Sequence, residues 1–341
     1  MKKYNDLIKT NFKILLLGFL TFLISSCDDD DDDDDTIGNW IELSDFDGIP
    51  RCDATAFTIN GKAYLGTGYE EGSTRLKDFW EYNPDLNYWS QKADFPGGIR
   101  NGAVGFSINE KGYIGTGYDG DNKLKDFWEY NPSDNSWIQI SDFGGTARYG
   151  AIAFSIGNCG YVGTGYDENY LKDFWKYDQT TGEWSLIYGY GGSKRKDAVA
   201  FVIDNKAYIS TGLDNGVYEE DFWSYDPEAD LWTELRDIAD NTDESFDDDY
   251  TISGIDRVAF TVNGKGYIAT GGTGGVGGAV WEYDPITDLW EQKTYFEGSS
   301  RVNAVGFAIG NRGYIATGQS SSYYFDDLWG FDPDAEYDEY D

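Results

Sequence analysis

Hydrophobic positions alternate with small or polar ones in short runs along the chain, as in Val104-Gly105-Phe106-Ser107-Ile108 and Val305-Gly306-Phe307-Ala308-Ile309. A period of two sends successive side chains to opposite faces and predicts a strand, not a helix. The second face carries small rather than charged residues, so both faces are expected to be covered. Turn formers follow the runs, among them Asn60-Gly61, Gly157-Asn158, Asn263-Gly264 and Gly310-Asn311. Such pairs suit tight hairpins because they accept positive φ. A second run then ends in Tyr-x-(Gly/Ser/Ala)-Thr-Gly, which occurs six times, at 64–68, 113–117, 161–165, 208–212, 267–271 and 314–318. After it come a polar loop, a strand of the type Phe-Trp-Glu-Tyr, an Asn/Asp-Pro turn and a strand opening with tryptophan. Leu76 to Trp89 reads LKDFWEYNPDLNYW, and close copies begin at Leu124 and Leu171, about 48 residues apart. No helical period interrupts the pattern.

In five copies the third-strand tyrosine precedes the fourth-strand tryptophan by seven positions: Tyr82/Trp89, Tyr130/Trp137, Tyr177/Trp184, Tyr225/Trp232 and Tyr283/Trp290. Four-stranded units with a glycine closing the second strand and this spacing resemble kelch repeats of the galactose-oxidase-central-domain type, the blades of a β-propeller. The resemblance covers the chain from Ile37 onward. One departure is that the double glycine usual after the second strand reads Gly-Thr-Gly here, or has Ser or Ala for its first glycine.

Tryptophans count the blades. Third strands supply Trp80, Trp128, Trp175, Trp223, Trp281 and Trp329, while fourth strands supply Trp89, Trp137, Trp184, Trp232 and Trp290. The sixth copy ends without its second tryptophan, and the one left over is Trp40. It stands 11 residues before Arg51, the interval that also separates Trp89 from Arg100 and Trp137 from Arg148. The expectation is an all-β, six-bladed kelch-type propeller over 37–341, its last blade completed by 37–46. All twelve tryptophans are then expected to pack blades together, because large aromatics bury much area between sheets.

Two charged positions recur. Arginine opens the first strand (Arg51, Arg100, Arg148, Arg195, Arg301) and aspartate precedes the third (Asp78, Asp126, Asp173, Asp221, Asp327). Either the arginines ring the channel mouth to bind an anion, or each pairs with its aspartate across neighbouring strands. The fifth copy loses both together, with Gly254 and Ala279 in their places, which favours structural pairs. Cys52 and Cys159 fall on opposite faces of nonadjacent blades, so no disulfide is expected between them.

Function in a repeated scaffold is best sought where the repeat breaks, and it breaks most around blade five. The link after Trp232 carries about 11 extra residues, including Asp243, Glu244, Asp247, Asp248 and Asp249, and the next loop is glycine-rich from Gly271 to Gly278, including Gly274 and Gly275. Equivalent loops of blades one to three carry Tyr69, Tyr118 and Tyr166. This tyrosine rim suits stacking on sugars or gripping a protein loop, and it equally suits ordinary aromatic surface. The acidic insertion offers oxygen donors for Ca²⁺ but matches no loop motif, so a solvated loop is the simpler reading and no cofactor is assigned.

The N-terminus changes the setting. Lys2, Lys3, Lys9 and Lys13 precede an apolar run, Ile14 to Ile24, too short to span a bilayer, and Ser25-Ser26-Cys27 follows. This resembles the lipobox of bacterial lipoproteins: residues 1–26 are the expected signal peptide and Cys27 the lipidated residue. Asp28 to Asp35 form an acidic tether. An acidic patch after the lipidated cysteine resembles the surface-export signal of some Gram-negative lipoproteins, whereas a different sorting rule holds such proteins at the inner membrane. The outer surface is the expectation, with the membrane reached through the lipid alone. Losing 1–26 takes the net charge from −36 to −39, which disfavours a nucleic-acid partner.

The chain has no histidine, which removes the commonest general base and transition-metal ligand. Kelch-type copper oxidases need histidine ligands, so that activity does not carry over. Paired carboxylates remain, as do the histidine-free epimerase chemistries of sugar-acid-handling kelch propellers. The expected function is a surface-tethered binding propeller for glycan or protein, with a carbohydrate-active epimerase or lyase as the alternative.

Overall fold

A computed structural model describes residues 37–240, 250–338 and 340. Six four-stranded antiparallel sheets follow one another around a central channel. Blade one consists of Thr55–Ile59, Lys62–Gly66, Phe79–Asn83 and Tyr88–Gln91. The innermost strands of the next five blades are Val104–Ile108, Ile152–Ile156, Val199–Ile203, Val258–Val262 and Val305–Ile309. Each packs against the innermost strand of its neighbour, and the last packs against the first.

The period-two pattern has a direct packing consequence. In every blade the phenylalanine of the first strand faces the tyrosine of the second, as in Phe57 with Tyr64 and Phe154 with Tyr161. The six pairs lie near parallel, with ring centroids 4.9–5.7 Å apart and planes 8–20° off. The other side of each phenylalanine covers the next blade, where the second strand must be small. A Cβ on Gly112 would sit 2.2 Å from the Phe57 ring, and Gly160, Gly266 and Gly313 stand in the same relation to Phe106, Phe201 and Phe260. The small residues of the second strand are therefore the floor on which a neighbouring blade rests.

The tryptophans do two jobs rather than the one expected. Those of the fourth strand lie across from the third-strand tyrosine of their own blade and wedge against the preceding blade. Trp137, for instance, is 4.8 Å from Tyr130 and 4.9 Å from Phe79 of blade one. Third-strand tryptophans are instead half-buried, except Trp281, and five of them donate their indole N–H to the aspartate two residues earlier. Their spacing from aspartate is thus an electrostatic feature as well as a packing one.

The ring closes as the lone Trp40 implied. Asn39–Glu42 pairs antiparallel with Leu328–Asp332, setting Trp40 opposite Phe331. Trp40 is fully buried, touches Phe331 and Phe296, and donates its indole N–H to the Thr294 carbonyl of blade five. The backbone N–H of Thr294 in turn reaches the Ile37 carbonyl. The lipobox-like segment, Cys27 and the aspartate run expected to form a tether lie outside the described residues, as do Asp243, Glu244, Asp247, Asp248 and Asp249.

Candidate functional site at the channel mouth

The recurring arginines and aspartates are structural pairs. Arg51 donates Nη1 and Nη2 to the two carboxylate oxygens of Asp78 at 2.6 Å each, and to the Thr67 carbonyl at 3.0 Å. Arg100–Asp126, Arg148–Asp173 and Arg301–Asp327 repeat this fork, and Arg195 pairs with Asp221. All five arginines are inaccessible to solvent, so none is offered to a ligand. Burial alone would raise the carboxyls of Asp78 and Asp173, but the paired guanidinium and the indole N–H outweigh it and hold both below the usual range. The carbonyl that completes each fork belongs to a threonine at φ 57–62°, a backbone turn in which Thr67, Thr116, Thr164, Thr211, Thr270 and Thr317 all take part.

The arginine backbone serves a second purpose. The glycine closing each second strand donates its N–H to the carbonyl at the arginine position of the next blade: Gly68 to Arg100, Gly117 to Arg148, Gly165 to Arg195, Gly271 to Arg301 and Gly318 to Arg51. Blade five keeps this link, Gly212 to Gly254, although its arginine is gone.

Two residues further on, the first strand enters the channel. Here stand Asp53, Gly102, Gly150, Asp197, Asp256 and Asn303, all at φ 53–62°. Only Gly, Asn and Asp take up this left-handed turn readily. It aims each residue at its neighbour, and backbone bonds run from Asp53 to Asn303, Gly102 to Asp53, Gly150 to Gly102, Asp197 to Gly150 and Asn303 to Asp256. Gly102, Gly150 and Asn303 perform this turn without a charge. The three carboxylates are therefore more than the backbone requires.

Those carboxylates share a recess of about 150 Å³ at the channel mouth. Asn101 donates its amide to Asp53, Arg75 donates Nε to Asn101 at 2.6 Å, and Lys196 donates to Asp197 at 2.6 Å. Burial pushes Asp53 up to about 7; the Asn101 hydrogen bond opposes this and the charge of Asp197 adds to it. Burial, with the charges of Asp197 and Asp53, takes Asp256 to about 7 as well. Asp197 is raised by burial, against Lys196. Lys196 forms an ion pair with Asp197, and among the described residues neither Asp53 nor Asp256 has such a partner, although Arg257 lines the same recess.

Around this recess lies the tyrosine rim. Tyr118 and Tyr166 are joined through Tyr149, at 5.8 and 5.7 Å between ring centroids, and Tyr170 continues the row at 5.2 Å. Tyr69 lies on the blade-one side, 6.0 Å from Tyr324. Cations cover three of these rings: Arg75 over Tyr118, Lys196 over Tyr149 and Lys123 over Tyr166. Gly274 borders the same face beside the Tyr218 hydroxyl, and Gly275 stands in open space. A groove of about 640 Å³ along Pro50, Trp80 and Ile99 is a weaker candidate, because Asp78, Lys77 and Asp94 in its lining are already paired, Asp78 with Arg51 and Lys77 with Asp94.

Sequence reasoning brought out Tyr69, Tyr118 and Tyr166 but missed Asp53, Asp197, Asp256, Lys196 and Tyr149. The signal was present as a position two residues after the repeating arginine that reads Asp, Gly, Gly, Asp, Asp, Asn around the ring. Cys52 and Cys159 are both free thiols. Cys52 backs the mouth beside Tyr69, and burial pushes its thiol up to about 12. Among the described residues no cluster of three or more His, Cys, Asp or Glu is arranged to hold a metal ion. No described helix is long and apolar enough to cross a membrane.

Residues 40–192 match the KLHDC2/KLHL20/DRC7 Kelch-repeats domain, and residues 194–237 match the Kelch motif. A comparison with curated proteins gave no match. Among solved structures, one titled "Structure of YjhT" is similar over 84% of this chain and 95% of its own, with a TM-score of 0.69 and 16% identity. At that identity the likeness concerns the fold. Together with six four-stranded blades and the conserved spacing of Tyr and Trp within them, these matches make the chain a kelch-repeat β-propeller.

Proposed function

We propose that this propeller is a binding module that takes a glycan at the channel mouth, carried at the outer cell surface on a lipid attached to Cys27. The observation that carries the binding site is the excess of Asp53, Asp197 and Asp256 over what the backbone ring needs, inside a rim of tyrosines. Carboxylates accept hydrogen bonds from hydroxyls, and aromatic faces and edges shield the C–H faces of a sugar. The surface location rests on the lipobox-like Ser-Ser-Cys and the aspartate run. Screening the purified protein on a glycan array, beside an Asp53→Asn/Asp197→Asn variant, tests the site. Binding lost in the variant supports it. Binding that ignores the substitutions, or capture of proteins with no glycan bound, removes it.

One observation favours a second reading, a carbohydrate epimerase or lyase. Burial and the neighbouring carboxylates push Asp53 and Asp256 up to about 7, where a carboxyl serves well as general acid or base. Chemical conversion of a bound sugar, abolished by Asp256→Asn, would establish that reading in place of the first.

A further inference from the structure

Blade five lacks the arginine–aspartate pair, yet it does not lack the guanidinium. Where the other blades carry Ala54, Ala103, Ala151, Ala198 and Ala304 beside the channel, blade five carries Arg257. Its side chain turns back into the blade and donates Nη1 to the Thr270 carbonyl at 2.8 Å, the counterpart of the carbonyl that Arg51 reaches at Thr67. Nη2 donates to the Ser253 carbonyl at 2.9 Å. The path is open because Gly254 and Gly271 are glycine: a Cβ on Gly271 would meet the arginine's own Cγ at 2.5 Å. A guanidinium has thus been restored from a different backbone position.

Its carboxylate has not. Ala279 stands where Asp78, Asp126, Asp173, Asp221 and Asp327 stand elsewhere. Among the described residues no carboxylate reaches ion-pairing distance of Arg257, and its buried Nε has no hydrogen-bond partner. Two of five N–H donors are used, so three remain. Burial with no opposing charge lowers its pKa to about 10. A cavity of about 240 Å³ lies beside it, bounded by Ala279, Ser253, Thr251 and the glycine-rich loop at Gly272, Gly275 and Gly277. No side chain of that loop's glycines intrudes.

We propose that this cavity is a carboxylate-binding pocket, in which the carboxylate of a small organic acid or sugar acid occupies the place that aspartate fills in the other five blades, held by the guanidinium of Arg257. The other blades show the geometry such a ligand would meet: a two-pronged contact at 2.5–2.9 Å in blades one, two, three and six. Planar guanidinium matches planar carboxylate in this fork, whereas a neutral hydroxyl leaves the charge unbalanced. The volume accepts the acid end of a ligand and little more. Arg257 also lines the recess at the mouth beside Asp256, so the two sites adjoin, and the pocket is told apart by its own wall of Ala279, Ser253, Thr251 and the glycine-rich loop.

Thermal shift and calorimetric titration with sodium acetate, sodium galacturonate and galactose, at ionic strength fixed with sodium chloride, provide the test. Both acids are expected to bind and raise Tm, and galactose is expected to do neither at this pocket; acetate against galacturonate shows whether the sugar ring contributes. Ala279→Asp supplies the absent carboxylate from the chain. It is expected to raise the Tm of the unliganded protein and weaken acid binding by at least about tenfold, as loss of a charged fork requires. Ala279→Asn fills the same volume without charge and is expected to weaken binding without that rise in Tm. Acid effects no greater than those of chloride, or binding unchanged in Ala279→Asp, would overturn the proposal. Neither result would touch the glycan reading, which is judged on Asp53 and Asp197.

Discussion

Arg51, Arg100, Arg148, Arg195 and Arg301 are wholly buried, and each is tolerable there because an aspartate faces it. Removing one partner of such a pair leaves an uncompensated interior charge. Asp78→Ala should therefore lower unfolding free energy by about 3–5 kcal/mol, seen as a lower urea midpoint with unchanged slope. The Trp80 indole N–H loses its acceptor in the same substitution. The aspartates at the mouth behave oppositely. Burial pushes the Asp53 and Asp256 carboxyls up to about 7 from an ordinary 3.8, so the folded protein holds protons there that the unfolded chain has released. Their contribution is fully present below about pH 4 and is lost as pH rises to about 7. Asp78 and Asp173, held low, contribute above about pH 4 and lose that contribution on further acidification. Asp53→Asn removes a charge from a turn that Asn303 already shows is open to asparagine. Thermal unfolding of this variant near pH 8 should show a gain on the order of 1–2 kcal/mol, with little change near pH 4, since one pKa unit is worth about 1.4 kcal/mol and the carboxylates share the burden.

At the level of elements, the strand Asn39–Glu42 carries a disproportionate load. It covers the edge of Leu328–Asp332 and becomes the short outermost strand of the sixth sheet, so that sheet has four strands like the other five. Trp40 contacts blade six through Phe331 and blade five through Phe296 and Thr294. Trp40→Ala should cost about 3–5 kcal/mol, as for other large-to-small changes at buried aromatics. Hydrogen exchange should show the loss of protection starting at Leu328–Asp332 rather than spread evenly. Equal loss across all six blades would mean that the closing strand has no special role. Blade five is the other departure from the repeat. Its arginine, aspartate and loop all differ, yet the Gly212–Gly254 link keeps it in the ring.

Over the whole molecule, charge is the dominant unspent quantity. A net charge of −36 disfavours compaction through self-repulsion. Raising sodium chloride from about 0.01 to 0.15 M shortens the screening length from about 30 to 8 Å, and Tm should rise over that interval; a flat or falling curve would show that local pairs dominate instead. Local patterning made much of the architecture legible. Alternation marked the strands, the interval between Trp and Arg assigned Trp40 to the last blade, and the joint loss at Gly254 and Ala279 identified the arginine–aspartate pairs. The channel mouth was harder to read. Asp53, Asp197 and Asp256 looked like turn residues, and as backbone they are, but nothing local says that carboxylates so far apart in the chain meet in one recess.

The sequence by itself determined how many blades form, the order of their strands and the partner of each repeated charge. These depend on contacts within one repeat or between adjacent repeats, so the copies restate them until they become plain. Only the tertiary structure decided which side chains converge at the axis, and that Arg257 takes over from a missing arginine by a different route. Convergence is created when the ring closes, and a side chain's path depends on the space that glycines such as Gly254 and Gly271 leave open.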